Sequence, residues 1–319
     1  MLTQRATYLF IAALVSLPLF AETGENTAAK QEAKDPDRRL PIVNPLFAPY
    51  QGQWYVEANS TEQRSAITAT IPVQNYSGFA ISESKTRSDY TDIRVGGQVM
   101  YGIHDRLAVG VRTRFLADRQ VQTSSSGAFT SGSSGVSSRL GMYNPSFALQ
   151  GRLLGIDRNE WHLNVIGMYS PGSVGGIGDP QTDVQAGLLL GKNSSFFSFG
   201  FVAFAIWSPE TTSGTIKYRS TTAVSAEMIL QAHFSPFFFN LLGGAFQYVD
   251  PSSASDAMSG KVRIVCEAEV GAEIQQNVFV KLSYGWLMPV SADYNSGGLQ
   301  MTFRDHGGPA ATLTIGARF

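Results

Sequence analysis

The last nine residues alternate strictly between apolar and polar side chains and stop on an aromatic. Along an extended strand, Ala311, Leu313, Ile315, Ala317 and Phe319 fall on one face, and Thr312, Thr314, Gly316 and Arg318 on the other. Such a strand suits either a half-buried soluble sheet or the wall of a barrel in lipid. Beyond Ala21 no stretch approaches the ~18 consecutive apolar residues of a membrane helix. Yet only 15% of the residues are charged, where roughly a quarter is usual for a soluble chain. Mean hydropathy is -0.04, as expected when apolar residues are diluted by alternation. A chain of this kind that enters a membrane must do so as a closed barrel, because only helices and closed barrels satisfy every backbone polar group in lipid.

The alternation recurs. Val262, Ile264, Cys266, Ala268, Val270, Ala272 and Ile274 form one column, opposite Arg263, Glu267, Glu269 and Glu273. Val280, Leu282, Tyr284, Trp286 and Met288 face away from Lys281, Ser283 and Gly285, and Ile93, Val95, Val99, Tyr101 and Ile103 away from Arg94, Gln98 and Gly102. Aromatics cluster near the ends of these segments (Tyr101, Trp161, Tyr169, Trp207, Tyr248, Trp286), as in interfacial girdles. Short turns alternate with long polar stretches at about 62–90, 118–138, 171–181, 208–216, 250–259 and 291–306. The reading is an all-β, transmembrane antiparallel up-and-down β-barrel of about twelve strands, with short periplasmic turns and long external loops. The expected spans are 51–60, 91–103, 107–117, 140–154, 160–170, 182–191, 195–207, 217–234, 238–249, 261–274, 278–290 and 309–319. Ile67 to Ile71 also alternates, and a strand pair hidden there would raise the count to fourteen.

The N-terminus reads as a secretory signal over residues 1–21. Arg5 precedes the apolar run Tyr8 to Val15, then come Ser16, Pro18 and a small residue at Ala21. Residues 22–49, with Pro36, Pro41, Pro45 and Pro49, carry no clear period and are expected to be an irregular periplasmic segment, leaving 50–319 as the barrel. The net charge of -1 favours neither nucleic acid nor an anionic partner. The single cysteine, Cys266, builds neither an internal disulfide nor a Cys-based metal site.

If the polar columns face the lumen, two groups of charges line it. Arg94, Arg112, Arg114 and Arg152 form a basic group. Lys217, Arg219, Glu227, Lys261, Arg263, Glu267, Glu269 and Glu273 form a mixed group, with Lys281 beside it and His162 and His233 also inward. A charge on the lipid face costs about 2–4 kcal/mol near the midplane, which supports the inward assignment. A basic wall facing an acidic wall would orient a polar or zwitterionic solute. The plainer alternative is that these residues pair across the lumen and plug it. A twelve-stranded barrel lies between the filled eight-stranded and the open sixteen-stranded kind, so size does not choose. Gly175 to Pro180 lacks the Gly-Lys-Ser/Thr of a phosphate loop and reads as an external loop. The four histidines have no metal-ligand spacing, and neither His162 nor His233 opens the His-x-Ser-Asn-Gly run of outer-membrane phospholipases. No catalytic residue, metal or cofactor is expected.

Several stretches resemble a large group of outer-membrane transporter-type barrels associated with the meta-pathway of phenol degradation and distantly similar to fatty-acid and aromatic-hydrocarbon channels. They are Gln51-Gly52-Gln53-Trp54, Tyr101-Gly102-Ile103-His104-Asp105-Arg106-Leu107 and Tyr169-Ser170-Pro171-Gly172-Ser173. The terminal strand ending on Phe319 resembles the signature read by the barrel-assembly machinery. The resemblance implies a Gram-negative outer-membrane location and passage of a small, apolar solute. The expected partners are outer-membrane lipid and lipopolysaccharide, the assembly machinery through Phe319, and a small solute, with no nucleic acid. The alternatives are a closed structural or surface-recognition barrel acting through its loops, and a lipid-modifying enzyme.

Overall fold

A computed structural model describes residues 40–74, 80–126, 132–134, 141–172, 181–194, 196–213, 215–218, 220–249, 261–275, 277–296 and 299–319. The expected signal peptide, residues 22–39, Arg219 and the Gly175–Pro180 stretch lie outside them. Twelve antiparallel strands close on themselves. They are β1 (Trp54–Gln74), β2 (Ala80–His104), β3 (Leu107–Ser126), β4 (Ser146–Leu154), β5 (Trp161–Ser170), β6 (Asp183–Asn193), β7 (Phe197–Ser208), β8 (Thr221–Phe234), β9 (Phe237–Tyr248), β10 (Val262–Gln275), β11 (Val278–Leu287) and β12 (Gly308–Arg318). Each pairs with its sequence neighbours, and β12 pairs with β1 from Ala310↔Gln63 to Arg318↔Tyr55. Closure leaves no free edge around the lipid-spanning wall, as a barrel in lipid requires. At the seam Phe319 and Trp54 exchange both backbone hydrogen bonds, at 2.9 and 3.0 Å.

The pleat sends alternate side chains outward, and the outward set is apolar. Phe199, Phe201, Leu188, Leu190, Val270, Leu282 and Phe239 are all exposed, which in water would be an aggregating surface and in lipid is the matching one. Trp54, Tyr101 and Trp161 ring the short-turn end, with the Trp54 and Tyr101 rings 4.6 Å apart. Tyr169, Trp207 and Trp286 ring the other.

Four expected loops are strands in large part. In 118–138, β3 continues to Ser126 against β2, and Gly132–Ser134 pairs with Thr123 to Ser125. Residues 62–90 hold no additional pair; β1 and β2 continue through them in register as far as Val73↔Ser82, so the count stays at twelve. The 291–306 stretch is a hairpin, Val290–Ser296 with Leu299–Asp305, whose second strand pairs with Ile67 to Thr70 of β1. Within 208–216, Thr211–Ser213 pairs with Ile216–Tyr218 in a small separate hairpin. The missed signal is turn chemistry: polar, Ser/Thr-rich segments still pair when both faces meet water. These extensions, at 20–25 residues for β1 to β3, outrun the roughly 9–11 residues that cross a bilayer.

Candidate functional site

Two structures occupy the lumen, a floor at the short-turn end and a cavity above it. Residues 40–50 form the floor. The sequence places residues 40–49 in an irregular periplasmic segment; they are irregular, but they pack against inward side chains of the barrel wall. Leu40, Leu46 and Tyr50 are almost completely buried, as are Ile42, Val43 and Ala48 nearby. Leu40 and Leu46 pack with Leu189 of β6 and Val202 of β7, and Ile42 and Val43 with Tyr55 of β1, Phe238 of β9 and Phe279 of β11. An irregular segment inside a barrel has backbone groups that the strands do not satisfy, and each needs a partner. Side chains from three wall strands, and Asn44 and Tyr50 of the segment itself, provide them. Asn164 donates to Leu46 O at 3.4 Å, Gln231 to Val43 O at 2.6 Å, and Arg152 to Ala48 O at 2.9 Å and to Asp105 O. Asn44 reaches out to Asn193 Oδ1 at 2.7 Å and Ser198 Oγ at 2.8 Å. The Arg152 guanidinium lies 4.3 Å from the Tyr50 ring centroid, within cation–π range.

Two glycines make room for this. A methyl at Gly102 would strike the carbonyl of Tyr50, and one at Gly191 would strike Leu46. Both sit where the floor's backbone or a leucine presses on the wall.

Above the floor is a cavity of about 490 Å³, within the roughly 300–1,000 Å³ range of small-molecule sites. Its base is Ile42, Val43 and Phe47, and Met100, Ile166, Phe204, Ile229, Phe238, Leu242 and Phe279 give much of its wall an apolar surface. Besides the paired Glu269 and Lys281, charge enters on two facing sides. On β3, Arg112 lines the cavity and donates to Gln98 Oε1 at 3.1 Å. Gln98 in turn donates to Glu57, which also accepts the Tyr55 hydroxyl at 2.6 Å. Arg114 stands two residues beyond Arg112 on the same inward column of β3. Arg94 is paired with buried Asp92 at 2.8 Å, and Arg119 shares that carboxylate at 2.7 Å. Across the barrel, Glu227 of β8 lines the same cavity and lies within electrostatic reach of Glu267 of β10. In a closed ring of twelve, β2–β3 and β8–β10 are about six strands apart and so face each other.

The remaining charges expected in the lumen have other places. Glu269 and Lys281 line the cavity but pair with each other at 2.8 Å, and Asn240 donates to Glu269 at 2.5 Å. Arg152 holds the floor. Arg263 is paired with Asp305 at 3.3 Å toward the long-loop end. Glu273 lies 3.6 Å from His233 at the short-turn end, and His162 is fully buried there. Lys261 is exposed ahead of β10. Lys217 is in the separate hairpin, because β8 begins at Thr221 and not at 217. Among the described residues no group of three His, Cys, Asp or Glu side chains is placed to hold a metal. Residues that sequence reasoning passed over are Asn44, Asn164, Asn193, Ser198 and Gln231. A search by charge does not find them, although an amide in an inward column of an otherwise apolar strand was a usable signal.

No family model matches the chain, and no curated protein matches it. Solved structures do. The COG4313 outer membrane channel from Pseudomonas putida F1 is 13% identical, with a TM-score of 0.51 over 86% of this chain and 98% of that one. The NanC porin is 9% identical, with a TM-score of 0.43 over 81% and 98% of the two chains. A FadL homologue of Pseudomonas aeruginosa is 8% identical, with a TM-score of 0.47 over 83% and 90%. The first of these likenesses establishes the fold, which is that of an outer-membrane β-barrel.

Proposed function

We propose that the protein is an outer-membrane channel or transporter that passes a small solute through a charged barrel lumen, without catalysis. The observation that carries this reading is the cavity: a small-molecule-sized space whose facing walls hold Arg112 and Glu227 apart, in place of a lumen filled by mutually paired side chains. The floor bears on mechanism. It is attached by side-chain hydrogen bonds and apolar contacts, not by strand pairing, so its displacement leaves the wall intact. Passage requires that displacement, since residues 40–50 cross the short-turn mouth. In this reading the apolar outer band sits among outer-membrane lipid and lipopolysaccharide, and the strand ending at Phe319 is the segment the assembly machinery reads.

Planar-bilayer recording of the folded chain from residue 22 onward tests the proposal. Discrete conductance steps with an ionic preference are expected, and replacing Arg112 and Arg114 by Gln should move the reversal potential toward cations. An unchanged reversal potential removes the basic wall from the mechanism. One observation favours a second reading. The floor fills the mouth while β1–β3 project well past the bilayer, as suits a closed barrel that recognises partners by its external strands. That reading predicts a folded, heat-modifiable and electrically silent barrel, silent even after the floor is deleted.

A further inference from the structure

We propose that the cavity binds a short apolar peptide, of two or three residues, by its free ends, with the terminal carboxylate at Arg112 and the terminal ammonium at Glu227. The inference deepens the passage reading and rests on it. Four observations meet here. Arg112 and Glu227 line one cavity, from strands on opposite sides of the barrel. A second like charge stands beside each wall, Arg114 two residues along the same inward column of β3 and Glu267 on β10 within electrostatic reach of Glu227, while Glu57 on the basic side meets Arg112 only through Gln98. By contrast, nearby Glu269 and Lys281 neutralise each other directly. Between the charged walls Phe204, Phe238 and Phe279 supply apolar surface, interrupted by Gln150, Asn240 and the paired Glu269 and Lys281.

Each wall presents charge of one sign to the cavity, so each attracts the opposite charge on a ligand, and the two walls call for opposite ends. A hydrocarbon would leave both walls uncompensated. A simple carboxylate would satisfy one wall and leave the acidic one facing an apolar body. An α-amino acid carries its two charges on one carbon and cannot touch opposing walls. In an extended dipeptide or tripeptide the two termini stand roughly 7–10 Å apart, with apolar side chains between them for the aromatic walls.

The test is titration calorimetry on the folded full chain in detergent. The probes are the dipeptide Leu-Phe, its N-acetyl derivative, which keeps only the carboxylate, and its C-terminal amide, which keeps only the ammonium. Leu-Phe should bind at least about tenfold more tightly than either blocked form, a difference of about 1.4 kcal/mol. Arg112→Gln should reduce the free peptide to the affinity of the amide and leave the amide unchanged. Glu227→Gln should reduce it to the affinity of the acetylated form. Arg114→Gln and Glu267→Gln should repeat the pattern more weakly, which covers the case in which a first variant fails to fold. Equal affinity for all three probes, an acetylated form that binds as well as the free peptide, or no binding by any of them overturns the proposal. Liposome swelling separates the two readings. Binding with the reciprocal pattern but no swelling would sink passage and keep this site. Swelling by sugars with no peptide preference would do the reverse.

Discussion

The two halves of the lumen use polar side chains in opposite ways. At the short-turn end, Asn164, Gln231 and Arg152 point inward and end on the floor's backbone, and Asn44 of the floor reaches out to wall side chains. In the cavity above, Arg112 and Glu227 are as inward but face each other across open space. A buried polar group is tolerated when satisfied. The floor carbonyls of Val43, Leu46 and Ala48 meet that condition within the chain, whereas Arg112 and Glu227 face a space that a solute can enter. An inward polar residue is therefore evidence of a pathway only when its partner is not already part of the chain.

The largest test of this contrast is deletion of residues 40–50. If the floor is the barrier, single-channel conductance should rise by roughly an order of magnitude, as the lumen becomes a continuous aqueous path, while the barrel stays heat-modifiable. An unchanged conductance would mean that the constriction lies elsewhere. Next in size is Lys281→Met. Breaking a buried pair costs about 3–5 kcal/mol when fully dry. Lys281 is a quarter exposed, so a loss of about 1–3 kcal/mol in urea unfolding is expected; restoration by the double change with Glu269→Gln would assign the loss to the pair. Asn164→Leu and Gln231→Leu each leave a floor carbonyl unpaired, at about 1–3 kcal/mol. That should appear as faster amide exchange in residues 40–50 and longer open times, with the global unfolding midpoint nearly unmoved; a matching global loss would make the floor part of the barrel's cooperative unit. Gly102→Ala should act in the same direction by pressing on Tyr50 O. The smallest effect is Arg64→Ala on the projecting sheet. Its pair with Glu62 is at 2.7 Å but highly exposed, so less than about 0.5 kcal/mol is expected.

Much of the wall was legible. Period-two columns such as Val262 to Ile274 give strand, register and facing together, because one buried or lipid-facing side fixes the pleat. The floor was not. Leu40, Ile42, Val43, Leu46 and Phe47 are separated by Pro41, Asn44 and Pro45 in no regular period, and their burial comes from what the ring of strands encloses, which no local pattern encodes. The same reason explains the charges. Alternation placed Arg94, Arg112, Glu227 and Glu269 on inward columns, but whether each meets a partner depends on strands distant in sequence. Glu269 finds Lys281 on the next strand; Arg152 finds Ala48, whose position had no reading. Lys217 was misplaced because a polar hairpin beside β8 reads like the strand's own continuation.

The seam has a consequence for how the molecule is put together. Trp54 begins four residues after the floor ends at Tyr50, and Trp54 is the residue to which the chain's last residue binds. The first and last strands meet at the point where the floor departs from the wall. Once Phe319 and Trp54 have joined, Leu40 to Tyr50 can reach the interior only by folding back through the mouth they come to fill. If the floor is already in place, the closing strands wrap around it. Both events meet at a single junction, so the floor is either enclosed as the ring closes or enters afterwards through the mouth.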